Sequence, residues 1–198
     1  MNQAADTADI LCEFFEVAIH NILYVRKLYP ASIFTAKKKF GVPVYQCIHP
    51  HVNDYIGNSL KAVSFYLKKN DLKRLFVCIH TQNHLFEKYV FEVLATKNIV
   101  DSDPLLVEFE KSLRSLMLNL FTSEQYVDEL PEDTTFSVRL QTTAHSSLEL
   151  DQNPSFEDFP WVEIKQKANK VENADIIPVY TVESDVINFQ LYIEKSNY

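Results

Sequence analysis

The 198-residue sequence predicts an α+β domain in which helices flank a mainly antiparallel sheet. Three observations predict it: apolar side chains at helical spacing in three stretches, strand-like runs between them, and turn or proline signals at the junctions. Thr7 or Asp9 is placed to cap a first helix that runs to about Tyr29 and is stopped by Pro30. Apolar side chains fill fourteen of the twenty positions from Ile10 to Tyr29, so this helix is central and covered on several sides. Ile33 and Phe34 make a short strand before a basic turn at Lys37, Lys38 and Lys39 and the segment GVPV at 41–44. A second helix enters at Pro50 and runs to Lys69, with Val52, Ile56, Leu60, Val63 and Leu67 on its stripe. Strands are expected from Leu75 to Thr81 and from Phe86 to Val93, joined by a hairpin turn through Gln82 and Asn83. A third helix follows Asp103-Pro104, carrying Phe109, Leu113, Leu116, Met117 and Leu120 inward. Thr134 to Thr143 is a further strand, and the domain reads as complete near residue 144.

The remaining quarter behaves differently. Residues 145–198 hold ten acids against four lysines, net −6 of a whole-chain −8, yet they include aromatics and two strand-like runs, Ile176 to Val182 and Val186 to Glu194. Such a segment is not a solvating tail; it folds onto something. In the last run Phe189, Leu191 and Ile193 share one face and suit a core. Asn188, Gln190 and Tyr192 share the other, which suits either a partner or water. The only tryptophan, Trp161 beside Phe159 and Pro160, reads either as core or as a platform for a partner peptide.

Composition excludes several functions. Only Gly41 and Gly57 occur, sixteen positions apart, so no phosphate-cradling loop or nucleophile elbow can be written. Direct nucleic-acid binding is disfavoured by the acidic balance and by basic spots as small as Lys37–Lys39 and Lys68–Lys69, read as solvated charges. Cys12, Cys47 and Cys78 form no CxxC and suit a reducing compartment. The amino terminus lacks a basic region before an apolar run, so neither a secretory signal nor a membrane span is expected.

Chemistry is sparse as well. Cys47, His49 and His51 are the best metal candidate, but three ligands on diverging side chains fall short of a zinc site. His80 and His84 bracket a turn and read as a solvent-exposed pair. Cys12 and His20 are eight residues apart on one helix, too far to hydrogen-bond. Cys78 reads as a small core hydrophobe. No catalytic residue, metal or cofactor is assigned; the expectation is a binding protein, not an enzyme.

Six segments carry a resemblance: LCEFFEVAIHNILYVRKLYP at 11–30, IFTAKKKFGVPV at 33–44, HPHVNDYI at 49–56, EKYVFEV at 87–93, DFPWVEI at 158–164 and IIPVYTVESDVINFQLYIE at 176–194. Their order and content resemble the HORMA-domain family, and within it the non-catalytic subunits of translesion DNA polymerase zeta. The resemblance implies a single HORMA domain over 1–198, with a three-helix and sheet core over about 8–144 and a mobile safety belt over about 145–198 that encloses a partner peptide. It implies an adaptor in translesion synthesis that clasps a proline-containing segment of the polymerase zeta catalytic subunit, with Tyr55 and Trp161 lining the peptide's path. Where the family has an apolar residue two positions beyond the tryptophan, Glu163 stands, which alters one wall of the pocket. Ile176, Gln190 and Tyr192 match a docking face for the carboxyl-terminal domain of a Y-family polymerase. Arg114 matches a position of HORMA–HORMA dimerisation; its bland reading is an ion pair with Glu110. The same resemblance implies residence in the nucleus, with the cytoplasm as a second compartment, and an AAA+ ATPase remodeller as a further partner. Other HORMA roles, in double-strand-break repair, the spindle checkpoint or meiosis, are the alternative.

Overall fold

The computed structural model describes residues 7–96, 103–143, 150, 153–165, 169–183 and 187–197. Helix α1 (Thr7–Val25) is central: Phe14, Phe15, Ala18, Ile19 and Leu23 are wholly buried. Thr7 and Asp9 both lie inside the helix rather than capping it, and Asp9 sits in the first turn, where the helix dipole favours an acid. The helix ends four residues before the predicted Tyr29. Lys27 adopts φ 53°, and the amides of Lys27 and Leu28 bond back to the carbonyls of Tyr24 and Leu23, a left-handed cap that stops the helix ahead of Pro30.

The lysines expected in a turn are in a strand. β1 (Phe34–Lys39) contains Lys37–Lys39 and pairs antiparallel with β2 (Val42–Cys47). The turn is Phe40-Gly41, with φ 52° and 74°, the two-residue hairpin geometry in which a glycine at the second position relieves strain. Helix α2 (Pro50–Lys68) starts on a proline at its first turn and ends on Asn70 at φ 58°, capped as α1 is. Strands β3 (Leu72–His80) and β4 (Leu85–Thr96) form the expected hairpin, and α3 (Asp103–Thr122) follows. β5 (Thr135–Thr142), β6 (Ala174–Glu183) and β7 (Ile187–Ser196) complete a five-stranded antiparallel sheet of order β5-β3-β4-β7-β6. The strands beyond residue 145 therefore do not form a separate unit, because β7 pairs directly with β4. The expected junction at 144–145 lies outside the described residues.

Strand alternation divides the sheet. Its inner face carries Leu75, Val77, Tyr89, Phe91, Phe189, Leu191 and Ile193 against the helices, with the Phe14 and Phe15 rings 5.5–6.4 Å from those of Phe91 and Phe189. On the same face the Arg26 guanidinium donates two bonds to the Glu87 carboxylate, 2.9 and 2.6 Å, and a third to the Asp128 carbonyl. Burial pushes the Glu87 carboxyl up, and the Arg26 charge pulls it back. Among the described residues the outer face has a small apolar cluster, Phe76, Cys78 and Val90, with Leu85 and Tyr192 packed on it. No helix among the described residues is long and apolar enough to cross a membrane.

Candidate functional site

β5 is an edge strand, and what lies beside its open edge makes the site. On its outer flank the chain returns over 153–165. A short turn at Pro154–Phe156, capped by the Asn153 side chain on the Ser155 amide, drives Phe156 into the core against Phe65, 5.7 Å between centroids. From there Phe159, Pro160, Trp161, Val162, Glu163 and Ile164 form a wall facing the strand. Between wall, α2 and β5 is a cleft of about 550 Å³, floored by Tyr55, Ser59 and Tyr66 and edged by Val138, Leu140 and Thr142.

Tyr55 connects strand to wall. Its ring stands edge-on to Phe136 at 5.4 Å and to Phe159 at 5.7 Å, and Phe159 in turn contacts Trp161 at 5.8 Å. The Tyr55 hydroxyl accepts a hydrogen bond from the Val138 amide, 2.9 Å. That amide is thus aimed away from the β3 ladder, at the open edge. Burial holds the Tyr55 hydroxyl above the usual phenol range. The Trp161 indole N–H is buried and finds no acceptor among the described residues. A second cavity of about 530 Å³ shares Tyr55 and continues past Phe136 toward Tyr29, Ile33, His49 and His51. An extended chain laid along β5 would meet both cavities, since eight strand residues span roughly 27 Å.

The structure thus brings Tyr55 and Trp161 to one cleft, with half-buried Trp161 packed at the margin of the core. The reading of the tryptophan as core holds in part, since its ring packs against the core while staying half-exposed. Glu163 is exposed on the same wall. Gln190 and Tyr192 project from the outer face of β7, and Ile176, 67% exposed, lies diagonally across from Tyr192 on β6. Gln190 also donates to Glu92, 2.7 Å, which holds Arg74. Arg114 is exposed on α3 and does not line the cleft. Its Nη1 stands 3.6 Å from where a Cβ would sit on Gly41, and among the described residues it forms no ion pair with Glu110.

The remaining chemistry candidates scatter. Cys47 is buried and its Sγ accepts from the His49 amide at 3.4 Å, while the His49 and His51 rings are exposed. His20, buried, accepts from the Cys47 amide; burial first and the Lys37 charge second lower its pKa to about 4. Burial raises the Cys78 thiol to about 11. His80 and His84 are half-buried rather than exposed, and His80 is tied to Ser137 and to the Thr81 carbonyl. Sequence reasoning missed Val138, whose role is a backbone direction that residue type does not reveal. It missed Lys88 too, which reads as one charge in an alternating strand.

The HORMA domain profile matches residues 8–175. The human protein named mitotic spindle assembly checkpoint protein MAD2B is 36% identical over 197 residues, 98% of this chain and 93% of its own. DNA polymerase zeta subunit 2 of Drosophila melanogaster is 29% identical, covering 83% of this chain and 84% of its own. Among solved structures, a chain of the mitotic checkpoint complex superposes with TM-score 0.82 at 19% identity, over 96% of this chain and 99% of that one. The structure of C. elegans HTP-2 bound to a HIM-3 closure motif gives 0.69 at 9% identity, over 97% and 91%. Helices on one face of an antiparallel sheet, a carboxyl-terminal hairpin paired into it and a match over most of the length agree: this chain belongs to the HORMA-domain family.

Proposed function

We propose that the protein is an adaptor without chemistry of its own, which encloses an extended, proline-containing segment of the catalytic subunit of DNA polymerase zeta. The observation that carries this reading is the pairing-competent edge of β5, walled by 159–164 and lined by Tyr55 and Trp161. Strand addition supplies main-chain hydrogen bonds and the aromatic pocket supplies selectivity. The relatives named as polymerase zeta subunits support that choice of partner. In the same reading Ile176, Gln190 and Tyr192 form a docking face for the carboxyl-terminal domain of a Y-family polymerase, so that one small protein bridges two polymerases during translesion synthesis in the nucleus. Arg114 is proposed for pairing with another HORMA domain, and an AAA+ ATPase for remodelling.

The test is a titration of labelled proline-containing segments of the catalytic subunit against wild type, Trp161→Ala and Tyr192→Ala. Trp161→Ala is expected to weaken capture on the order of 10- to 100-fold, the scale of losing a buried aromatic anchor. Tyr192→Ala is expected to keep capture and lose the second polymerase. Absence of binding by wild type would sink the reading, and equal affinity of Trp161→Ala would remove the tryptophan from the site. A second reading, an adaptor in checkpoint assembly, is favoured by the name of the MAD2B relatives; it predicts capture of a checkpoint protein's segment in the same cleft.

A further inference from the structure

Beyond the wall, the chain reaches the outer face of the sheet at Asn169, at the end of the cleft, where it is held by Arg139, which also lines the cleft, and by Lys88, which does not. Lys88, on the central strand β4, is 5% exposed. Its ammonium pairs with Glu194 of β7 at 2.6 Å, donates to the Asn169 carbonyl at 2.8 Å and stands 5.2 Å from the centre of the Phe76 ring. Arg139, on the edge strand β5, donates to the Asn169 side-chain oxygen at 3.1 Å. Two residues further on Val171 is only 1% exposed, and the Glu172 carbonyl accepts from the Ser196 hydroxyl at 3.3 Å. One short stretch is therefore fastened across the sheet, to β5, β4 and β7, before β6 begins.

A buried ammonium is tolerated only where its donors are satisfied, and a charge-assisted bond to a carbonyl is among the stronger local contacts. Lys88 retains Glu194 whether or not the chain over Asn169 is in place, because Glu194 belongs to the β4–β7 ladder. The bond to the Asn169 carbonyl is the part that exists only when the chain is down. On the opposite side of the β5 edge the same chain is held by Phe156 against Phe65, an apolar contact on the helix face. The wall 159–164 thus hangs between two anchors on opposite faces of the sheet.

We infer that Lys88, acting through Asn169, is the latch of this clasp: a positioning residue that sets how long a captured segment stays. The inference rests on the proposed capture of a segment at the β5 edge. Its test uses the full chain with a fluorescein-labelled proline-containing segment of the polymerase zeta catalytic subunit, in wild type, Lys88→Met, Lys88→Arg and Glu194→Gln. In Lys88→Met, release is expected to quicken about tenfold, equivalent to about 1.4 kcal/mol, with association changed less than twofold. Lys88→Arg should restore slow release, and Glu194→Gln, which perturbs the ion pair but leaves the latch bond, should not quicken it. In the free proteins, protease cleavage within 159–165 should rise in Lys88→Met alone, at matched melting temperatures. Release within twofold of wild type in Lys88→Met, or equal acceleration in Glu194→Gln, overturns the latch. If wild type captures nothing, the capture reading falls, and the protease measurement then decides by itself whether Lys88 holds the wall: unchanged cleavage overturns that too.

Discussion

The two edges of the five-stranded sheet are built to opposite ends. The β6 edge is blunted: Pro178 has no amide to offer, a register shift follows it before Tyr180, and Asp175 and Glu183 stand exposed near its ends. The β5 edge carries no proline, and the one register shift of its ladder lies on β3, between Leu72 and Arg74, at the strand's far end. It carries Phe136, Val138 and Leu140, its Val138 amide is aimed outward, and a wall of the protein's own chain stands beside it. An edge left able to pair is normally a liability. The 159–164 wall and the Tyr55 hydroxyl on its one identified outward amide cover this edge, which in the proposed function is where a segment pairs. The difference teaches that the site is defined by backbone as much as by side chains.

The comparison breaks most sharply by moving the proline. Val138→Pro deletes an amide that serves the open edge and not the β3 ladder, so the sheet should survive while capture weakens on the order of 100-fold, read by anisotropy with circular dichroism as control. Conversely, Pro178→Val supplies β6 with the missing amide. The variant should self-associate more than wild type, by up to about tenfold in affinity, in sedimentation runs at rising concentration. The smallest effect is expected in Tyr55→Phe. It keeps the ring between Phe136 and Phe159 but frees the Val138 amide, so capture should tighten by roughly two- to fivefold, the scale of about 0.5–1 kcal/mol for one hydrogen bond no longer competed for. A loss instead would make the hydroxyl a direct contact of the bound segment.

Much of the fold was legible because its signals are local. Helical stripes from Ile56 to Leu67 and from Phe109 to Leu120, Pro50 at a helix start and the alternation of Phe189, Leu191 and Ile193 each follow from one element's own geometry. The errors were local too. Three lysines together at 37–39 resemble a solvated turn, yet one exposed strand of a two-stranded hairpin accepts them equally well. Apolar spacing carries the first helix to about Tyr29, ahead of Pro30, because Lys27 in a left-handed cap leaves no mark in the sequence.

At the candidate site, resemblance points to Tyr55 and Trp161, and charge sets the last quarter of the sequence apart. Their 106-residue separation gave no hint of a shared cleft. By itself the sequence determined the class of fold, the helices and most strands, and the absence of a glycine-rich phosphate loop, because those depend on residue type and short-range periodicity. Only the tertiary structure decided which edge of the sheet stays open, that the Val138 amide faces it, and that Lys88 reaches the chain 81 residues away at Asn169. Strand order and backbone direction arise from long-range pairing, and that pairing is set by the packing of the whole sheet on α1 rather than by any one segment.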